Sequence, residues 1–183
     1  MFAKFCMDSL GRLGLSALFV LTPILSPEAS TMLLPLRIQG NALAATPVQT
    51  LPYDVGLAKA KAEGKWVMIK FEREDCLYCG QMTRETQTNA TTLQLLNKNF
   101  VWVQVDQKGQ RKVKYGKQQI TEAELSQRLK AWNYPYLLFL KPDGTPIGGL
   151  LGYQSPENMQ HLLRYIASGA YETMRFEQFK QRQ

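Results

Sequence analysis

The chain has 183 residues, 45% of them hydrophobic, with 13 Gly and 9 Pro, which excludes collagen-like, low-complexity and disordered classes and leaves room for one globular domain and a targeting segment. Its formal charge of +7 comes from 22 Lys and Arg against 15 Asp and Glu. The basic residues are scattered except at Arg111, Lys112, Lys114 and Lys117, and with no recognition helix, zinc-finger spacing or aromatic platform beside them, nucleic-acid binding is not expected.

The first predicted element is a leader. Lys4 and Arg12 precede the uncharged run Leu13 to Leu25, which is too short for a membrane-spanning helix and is interrupted by Pro23. Ala42-Leu43-Ala44 places small residues where a signal peptidase reads, so residues 1–44 are predicted to be a signal peptide cleaved after Ala44. An uncleaved anchor, or true initiation at Met7 or Met32, is the alternative. Cys6 falls in the discarded part, leaving residues 45–183 as the mature domain.

Within that domain, Asp54 is predicted to cap a helix with Leu57, Ala58, Ala60 and Ala62 inside and Gly64 as its left-handed stop. Trp66 to Phe71, apolar except for Lys70, predicts a buried central strand. A helix follows from Cys76. Leu93 and Leu96 keep helical spacing over 91–98, and the β-branched and aromatic run Phe100 to Val105 predicts a second strand. Residues 107–120 read as an exposed basic insertion, turning as a small hairpin at Tyr115-Gly116. Thr121 and Glu124 form a capping-box pattern opening a helix to about Trp132. Tyr136 to Leu140 and Thr145 to Leu151 flank Pro142-Asp143-Gly144 as an antiparallel hairpin. Ser155 and Pro156 open a last helix whose Met159, Leu162, Leu163 and Ile166 form one apolar face. Early alternation and a late hairpin imply an α/β fold, a mixed sheet covered by helices on both faces.

Three cysteines, Cys6, Cys76 and Cys79, and one histidine, His161, cannot complete a four-ligand zinc site of Cys and His in one chain. What remains is the pair Cys76-Leu77-Tyr78-Cys79. Where a loop enters a helix, free amides and the helix dipole favour a thiolate on the first cysteine, and a second three residues on can resolve a mixed disulfide. A permanent structural disulfide or a metal half-site fits the same spacing. Pro135, directly before a strand, falls where this architecture brings a turn beside the cysteines; an ordinary trans proline opening a strand, the commoner state of any X-Pro bond, is the alternative. Trp66, Trp102 and Trp132 read as core, and His161 as a surface residue.

Residues 52–181 resemble a thioredoxin-fold protein, and in particular the SoxW-like periplasmic thioredoxins associated with sulfur-oxidation gene clusters. The likeness rests on FEREDCLYCGQM (71–82), the basic insertion leading into ITEAELSQRL (120–129), YPYLLFLKPDG (134–144) and the tail GYQSPENMQHLLRYIASGAYETMRFEQF (152–179). The resemblance implies a periplasmic thiol-disulfide oxidoreductase in which Cys76 attacks, Cys79 resolves and Pro135 is cis. Tyr78 and Tyr134 would flank the sulfurs and present aromatic surface to a polypeptide, although both also fit as packing residues. The chain departs from thioredoxins proper in Asp75 before Cys76, in Leu77-Tyr78 between the cysteines, in Tyr134 before the proline, and in Lys70, which stands where thioredoxin has a buried aspartate. Glu72 is a candidate replacement base; ordinary strand-end charges are the alternative for Lys70 and Glu72 alike.

The expected function is reduction of disulfides in periplasmic protein clients, with a membrane thiol carrier as electron donor, no cofactor or metal beyond the Cys76-Cys79 couple, and a monomeric chain. An oxidase or isomerase, or a non-catalytic binding module that holds a partner at Tyr134-Pro135, competes with that reading.

Overall fold

The computed structural model describes residues 46–183, so the predicted leader, its cleavage site and Cys6 lie outside the described residues. Five strands form one sheet in the order β1 (Thr50–Leu51), β3 (Phe100–Asp106), β2 (Trp66–Glu72), β6 (Tyr136–Leu140) and β7 (Pro146–Leu151). Strands β1 and β2 run parallel to β3, whereas β6 is antiparallel to β2 and β7 to β6. The sheet is therefore mixed, as the sequence predicts. Among the described residues no helix is long and apolar enough to cross a membrane.

Alternation along β2 divides the core into two layers. Val67, Ile69 and Phe71 face a layer containing Val103, Val105, Leu125 and Leu138, on the side of α1 (Tyr53–Glu63) and α4 (Glu122–Arg128). Met68 faces the opposite layer, where Leu96, Trp102, Phe139, Met159 and Leu163 meet beneath α2 (Leu77–Thr88), α3 (Ala90–Asn99) and α5 (Pro156–Ala167). The chain ends in a short 3-10 turn, Ala170–Glu172, and α6 (Phe176–Lys180).

Several local expectations need correction. Helix α1 starts one residue before Asp54, with Pro52 at its N-cap and no side-chain cap bond. Its buried positions are Tyr53, Gly56 and Ala60, while Ala58 and Ala62 are exposed. Gly64 stops it at φ 65° as expected. Helix α4 ends at Arg128 rather than near Trp132, because Lys130 turns left-handed at φ 56° and redirects the chain. Trp132 is 66% exposed, so only Trp102 of the three tryptophans is fully buried; Trp66 is half-buried and donates its indole N–H to the Ile166 carbonyl at 2.6 Å. His161 is half-buried rather than a free surface residue.

The basic insertion forms the hairpin β4 (Lys112–Tyr115) and β5 (Gln118–Thr121), with Gly116 at φ 62° in the turn. It is only half exposed: Lys112 and Lys114 face solvent, but Val113 and Ile120 are buried in the α1-side core. Thr121 ends β5 and caps α4 through the predicted capping box, its hydroxyl accepting from the Glu124 amide at 3.1 Å while the Thr121 amide donates to the Glu124 carboxylate at 2.7 Å.

Candidate active site

Strand β2 delivers the chain to the C-terminal edge of the sheet, residues 73–75 turn, and α2 begins. Cys76 is the N-cap of that helix. Its sulfur is bonded to that of Cys79, with the Cα atoms 5.2 Å apart, and accepts a hydrogen bond from the Cys79 amide at 3.0 Å. The sulfur thus occupies the place of a capping oxygen, against one of the amides that a helix start leaves unpaired. On reduction the same amide would meet negative charge at the first cysteine. Cys79 lies one turn inside and is 1% exposed, whereas Cys76 is half-buried. The attacking and resolving roles assigned from sequence fall on an accessible and an enclosed sulfur respectively.

The Tyr134-Pro135 peptide bond is cis, as the resemblance implies. Arg73 joins the Pro135 loop to the cysteine loop. Arg73 donates from Nη1 to the Tyr134 hydroxyl at 2.9 Å, and its guanidinium carbon stands 4.9 Å from the centre of the Tyr134 ring. The other guanidinium nitrogen pairs with Asp75 at 2.5 Å. Gln107 extends the tie: its amide donates to the Glu72 carbonyl at 2.9 Å, and its side chain donates to the carbonyls of Ala131 and Asn133 at 2.6 and 2.9 Å. Beyond the proline, the Gly152 amide donates to the Pro135 carbonyl at 2.8 Å. Neither Arg73 nor Gln107 was a candidate from sequence, since an Arg and a Gln in polar loops carry no pattern.

Tyr78 and Tyr134 are both exposed rather than packed away, at 61% and 37%, and Leu77 and Trp132 are exposed with them. Tyr78 leans on Tyr153, their ring centres 6.3 Å apart. Tyr153 in turn donates its hydroxyl to Glu85 on α2. This bond, with a second donated by Gln81, holds the Glu85 carboxyl below its usual range, and the Glu85 carboxylate with burial raises the Tyr153 hydroxyl.

Lys70 and Glu72, undecided from sequence, differ in burial. Lys70 is 1% exposed and so is no strand-end surface charge; its ammonium donates to the Cys79 carbonyl at 3.0 Å and also bonds Thr83 Oγ1 and Glu72 Oε2. Burial pushes its pKa down, opposed by the bond and the charge of Glu72. Glu72 reaches the edge of the sheet, where Gln104 donates to its second oxygen.

Two clefts adjoin the site without including the cysteines. One of about 450 Å³ is lined by Tyr153, Ser155, Asn158, His161 and Lys180 near the start of α5. Another of about 330 Å³ is bounded by Arg73, Asp75, Asp106 and Lys108. Neither cysteine lines either one. Among the described residues no group of three or more His, Cys, Asp or Glu side chains is gathered to hold a metal ion.

A mixed sheet with helices on both faces, a Cys-X-X-Cys disulfide at the start of the helix after the central strand, and a cis proline opening a later strand define a thioredoxin fold. The thioredoxin-like domain model matches residues 53–167, and the chain belongs to that family. Among solved structures it is similar to a thioredoxin from Thermus thermophilus, at 27% identity and TM-score 0.53, over 66% of this chain and 87% of that one. A thioredoxin-fold protein from Helicobacter pylori shares its fold at 19% identity and TM-score 0.56, over 66% and 80% of the two chains. A DsbH oxidoreductase does so at 20% identity and TM-score 0.56, over 74% and 92%. No curated protein matches the sequence.

Proposed function

We propose that the chain is an exported thiol-disulfide oxidoreductase of the SoxW-like kind, reducing disulfides in periplasmic proteins through Cys76 and Cys79 and recharged by a membrane thiol donor. The observation that carries the reading is the disulfide at the N-cap of α2, half-buried at Cys76, with Leu77 and Tyr78 exposed in the same turn and the exposed Tyr134 joined to that loop through Arg73. Small-molecule sites are concave and enclose most of their ligand; a half-buried cysteine at a helix start beside exposed aromatic side chains suits a polypeptide instead.

Attack by a Cys76 thiolate on a client disulfide would give a mixed disulfide, and Cys79 would displace the client, re-forming the bond seen here. The opposite direction, as in an oxidase, uses the same atoms, and the reduction potential of the couple decides between them. Reduction of insulin by the purified protein tests the reading. Cys76→Ser should abolish turnover, and Cys79→Ser should accumulate a mixed disulfide that identifies the client when trapped in the native host. Normal turnover by Cys76→Ser, or partner binding unaffected when both cysteines are serine, would favour a binding module. N-terminal sequencing of protein from the host tests export, with Ala45 expected first.

A further inference from the structure

Residues 46–183 carry 19 Lys and Arg against 13 Asp and Glu, and the excess is concentrated in one segment. Residues 107–121 hold five cations, Lys108, Arg111, Lys112, Lys114 and Lys117, and no carboxylate; without them the described chain is one charge from balance. The fold gathers three of the five on one surface. In β4, Lys112 and Lys114 alternate with buried Val113, so both point away from the core, and their partners across the ladder are the uncharged Thr121 and Gln119. Lys117 is exposed in the turn that follows. Arg111 is held by Glu122, and the Arg128 guanidinium carbon stands 5.7 Å from the ring centre of Tyr115 in the same hairpin. The carboxylate that feels Lys112 and Arg128 is Glu124, which is occupied by the Thr121 amide. Among the described residues Lys112, Lys114 and Lys117 enter no ion pair.

Nothing inside the domain uses these three ammonium groups. Val113 and Ile120 hold the hairpin by its inner face, whereas like charges gathered on the outer face repel one another. We propose that this outer face docks the domain on an anionic bilayer surface, Lys112, Lys114 and Lys117 lying against lipid phosphates. Two features favour a bilayer over an acidic protein. Protein interfaces are built on buried aromatic anchors and Arg and are depleted of Lys; here the three unpaired cations are all lysines, and the hairpin offers no aromatic anchor, since Val113 and Ile120 are buried and Tyr115 is packed beside Tyr53. An ammonium on a flexible stem meets a phosphate without a fixed register, which is the contact a fluid lipid surface provides. The attraction is electrostatic, reversible and weakened by salt. The docking face also springs from the same end of the sheet as the cysteine loop: Gln107, where the insertion departs from β3, holds the Pro135 loop through the carbonyls of Ala131 and Asn133. The proposal goes beyond the oxidoreductase reading and does not depend on it. Where both hold, docking confines the domain to the surface on which the proposed thiol donor lies.

Co-sedimentation with lipid vesicles tests the proposal, using the protein as its host processes it. Vesicles of phosphatidylcholine with about one third phosphatidylglycerol should carry the protein down at about 0.05 M salt and release it at about 0.5 M, and vesicles of phosphatidylcholine alone should not bind it. Each lysine near an anionic surface contributes about 1 kcal/mol, or about fivefold in partitioning. Lys112→Gln, Lys114→Gln and Lys117→Gln combined should therefore lower the partition coefficient about a hundredfold. All three side chains are exposed, so the variant should fold and keep the melting temperature of the unaltered protein. Lys59→Gln, Lys61→Gln and Lys98→Gln combined remove the same charge from exposed positions on α1 and α3 and should lower the coefficient by about fivefold at most. Equal partitioning into neutral vesicles, an unchanged coefficient in the hairpin variant, or an equal loss in the α1 and α3 variant overturns the proposal. Retention on immobilised polyglutamate without binding to anionic vesicles also overturns it and assigns the face to an acidic protein. None of these results bears on the thiol chemistry, which insulin reduction tests separately.

Discussion

The contact between Arg73 and Tyr134 joins the loop that carries Cys76 to the loop that carries Pro135, and its strength can be estimated from its parts. A hydrogen bond from a charged donor contributes about 1.5–3 kcal/mol where buried. Tyr134 is 37% exposed, so the lower end applies. The guanidinium over the ring adds about 0.5–1 kcal/mol at such a site. The ion pair with Asp75, whose side chain is 64% exposed, adds about 0–1 kcal/mol. Arg73→Ala should then destabilise the oxidised protein by about 2–3.5 kcal/mol, read from the urea midpoint at constant m-value. Tyr134→Phe removes the hydroxyl and keeps the ring, and should cost about 0.5–1.5 kcal/mol. The two changes should not add: a double-mutant cycle should give a coupling of about 1 kcal/mol or more. On the proposed function, insulin reduction should slow in Arg73→Ala more than reduction of a small disulfide does, because a protein client would meet both loops at once and a small one would need only the sulfur. Additivity within about 0.5 kcal/mol, with equal rates on both substrates, would refute the idea that this contact holds the two loops in register.

Two further outcomes concern the framework of the site. Glu85 has its pKa lowered in the folded protein by the Tyr153 hydroxyl first and Gln81 second; a lowered carboxylate contributes stability above its unfolded pKa of about 4.3 and loses it as pH falls through the lower folded value. Melting temperatures of the unaltered protein and of Glu85→Gln should therefore differ at neutral pH and converge in acid, and a difference that persists or grows in acid would refute this origin. Gly149 on β7 leaves no room for a side chain, because an added Cβ would strike the Tyr136 ring and hydroxyl. Gly149→Ala should cost about 1–3 kcal/mol by overpacking, measured by denaturant unfolding, and a neutral result would mean that Tyr136 moves freely.

Elements with strong periodicity were legible in the sequence. Strand β2, the apolar face of α5, the Thr121 capping box and the helix start at Cys76 all follow from side-chain spacing or cap chemistry, which are local. What was not legible depends on contacts between distant residues. Nothing near Trp132 in sequence reveals that Lys130 adopts a left-handed turn and leaves the indole in solvent. A tryptophan after an amphipathic helix reads as core until the helix is known to stop early. Lys70 stood out as the one charge in an apolar strand, but its burial depends on Thr83 and Cys79 from a helix that the sequence alone does not dock. Gln107 and Arg73 act through backbone carbonyls and a hydroxyl more than twenty residues away, and neither has any periodicity to betray it.

The hairpin between β3 and α4 has a consequence for how the domain can be altered. Its inner residues Val113 and Ile120 lie in the same layer as Tyr53, and the ring of Tyr115 stands 6.1 Å from that of Tyr53, whose hydroxyl pKa is pushed up to about 12 by burial and by Tyr115. The last residue of the hairpin, Thr121, is also the first cap of α4, and α4 leads directly to the Pro135 loop. What looks like an addition to the fold is therefore a keystone: lengthening it at Gly116 changes only its solvent tip, but excising it would uncover Tyr53 and leave α4 without its starting point. A trimmed version of this domain, cut back to sheet and helices alone, would misplace the proline loop even though no residue of the site had been touched.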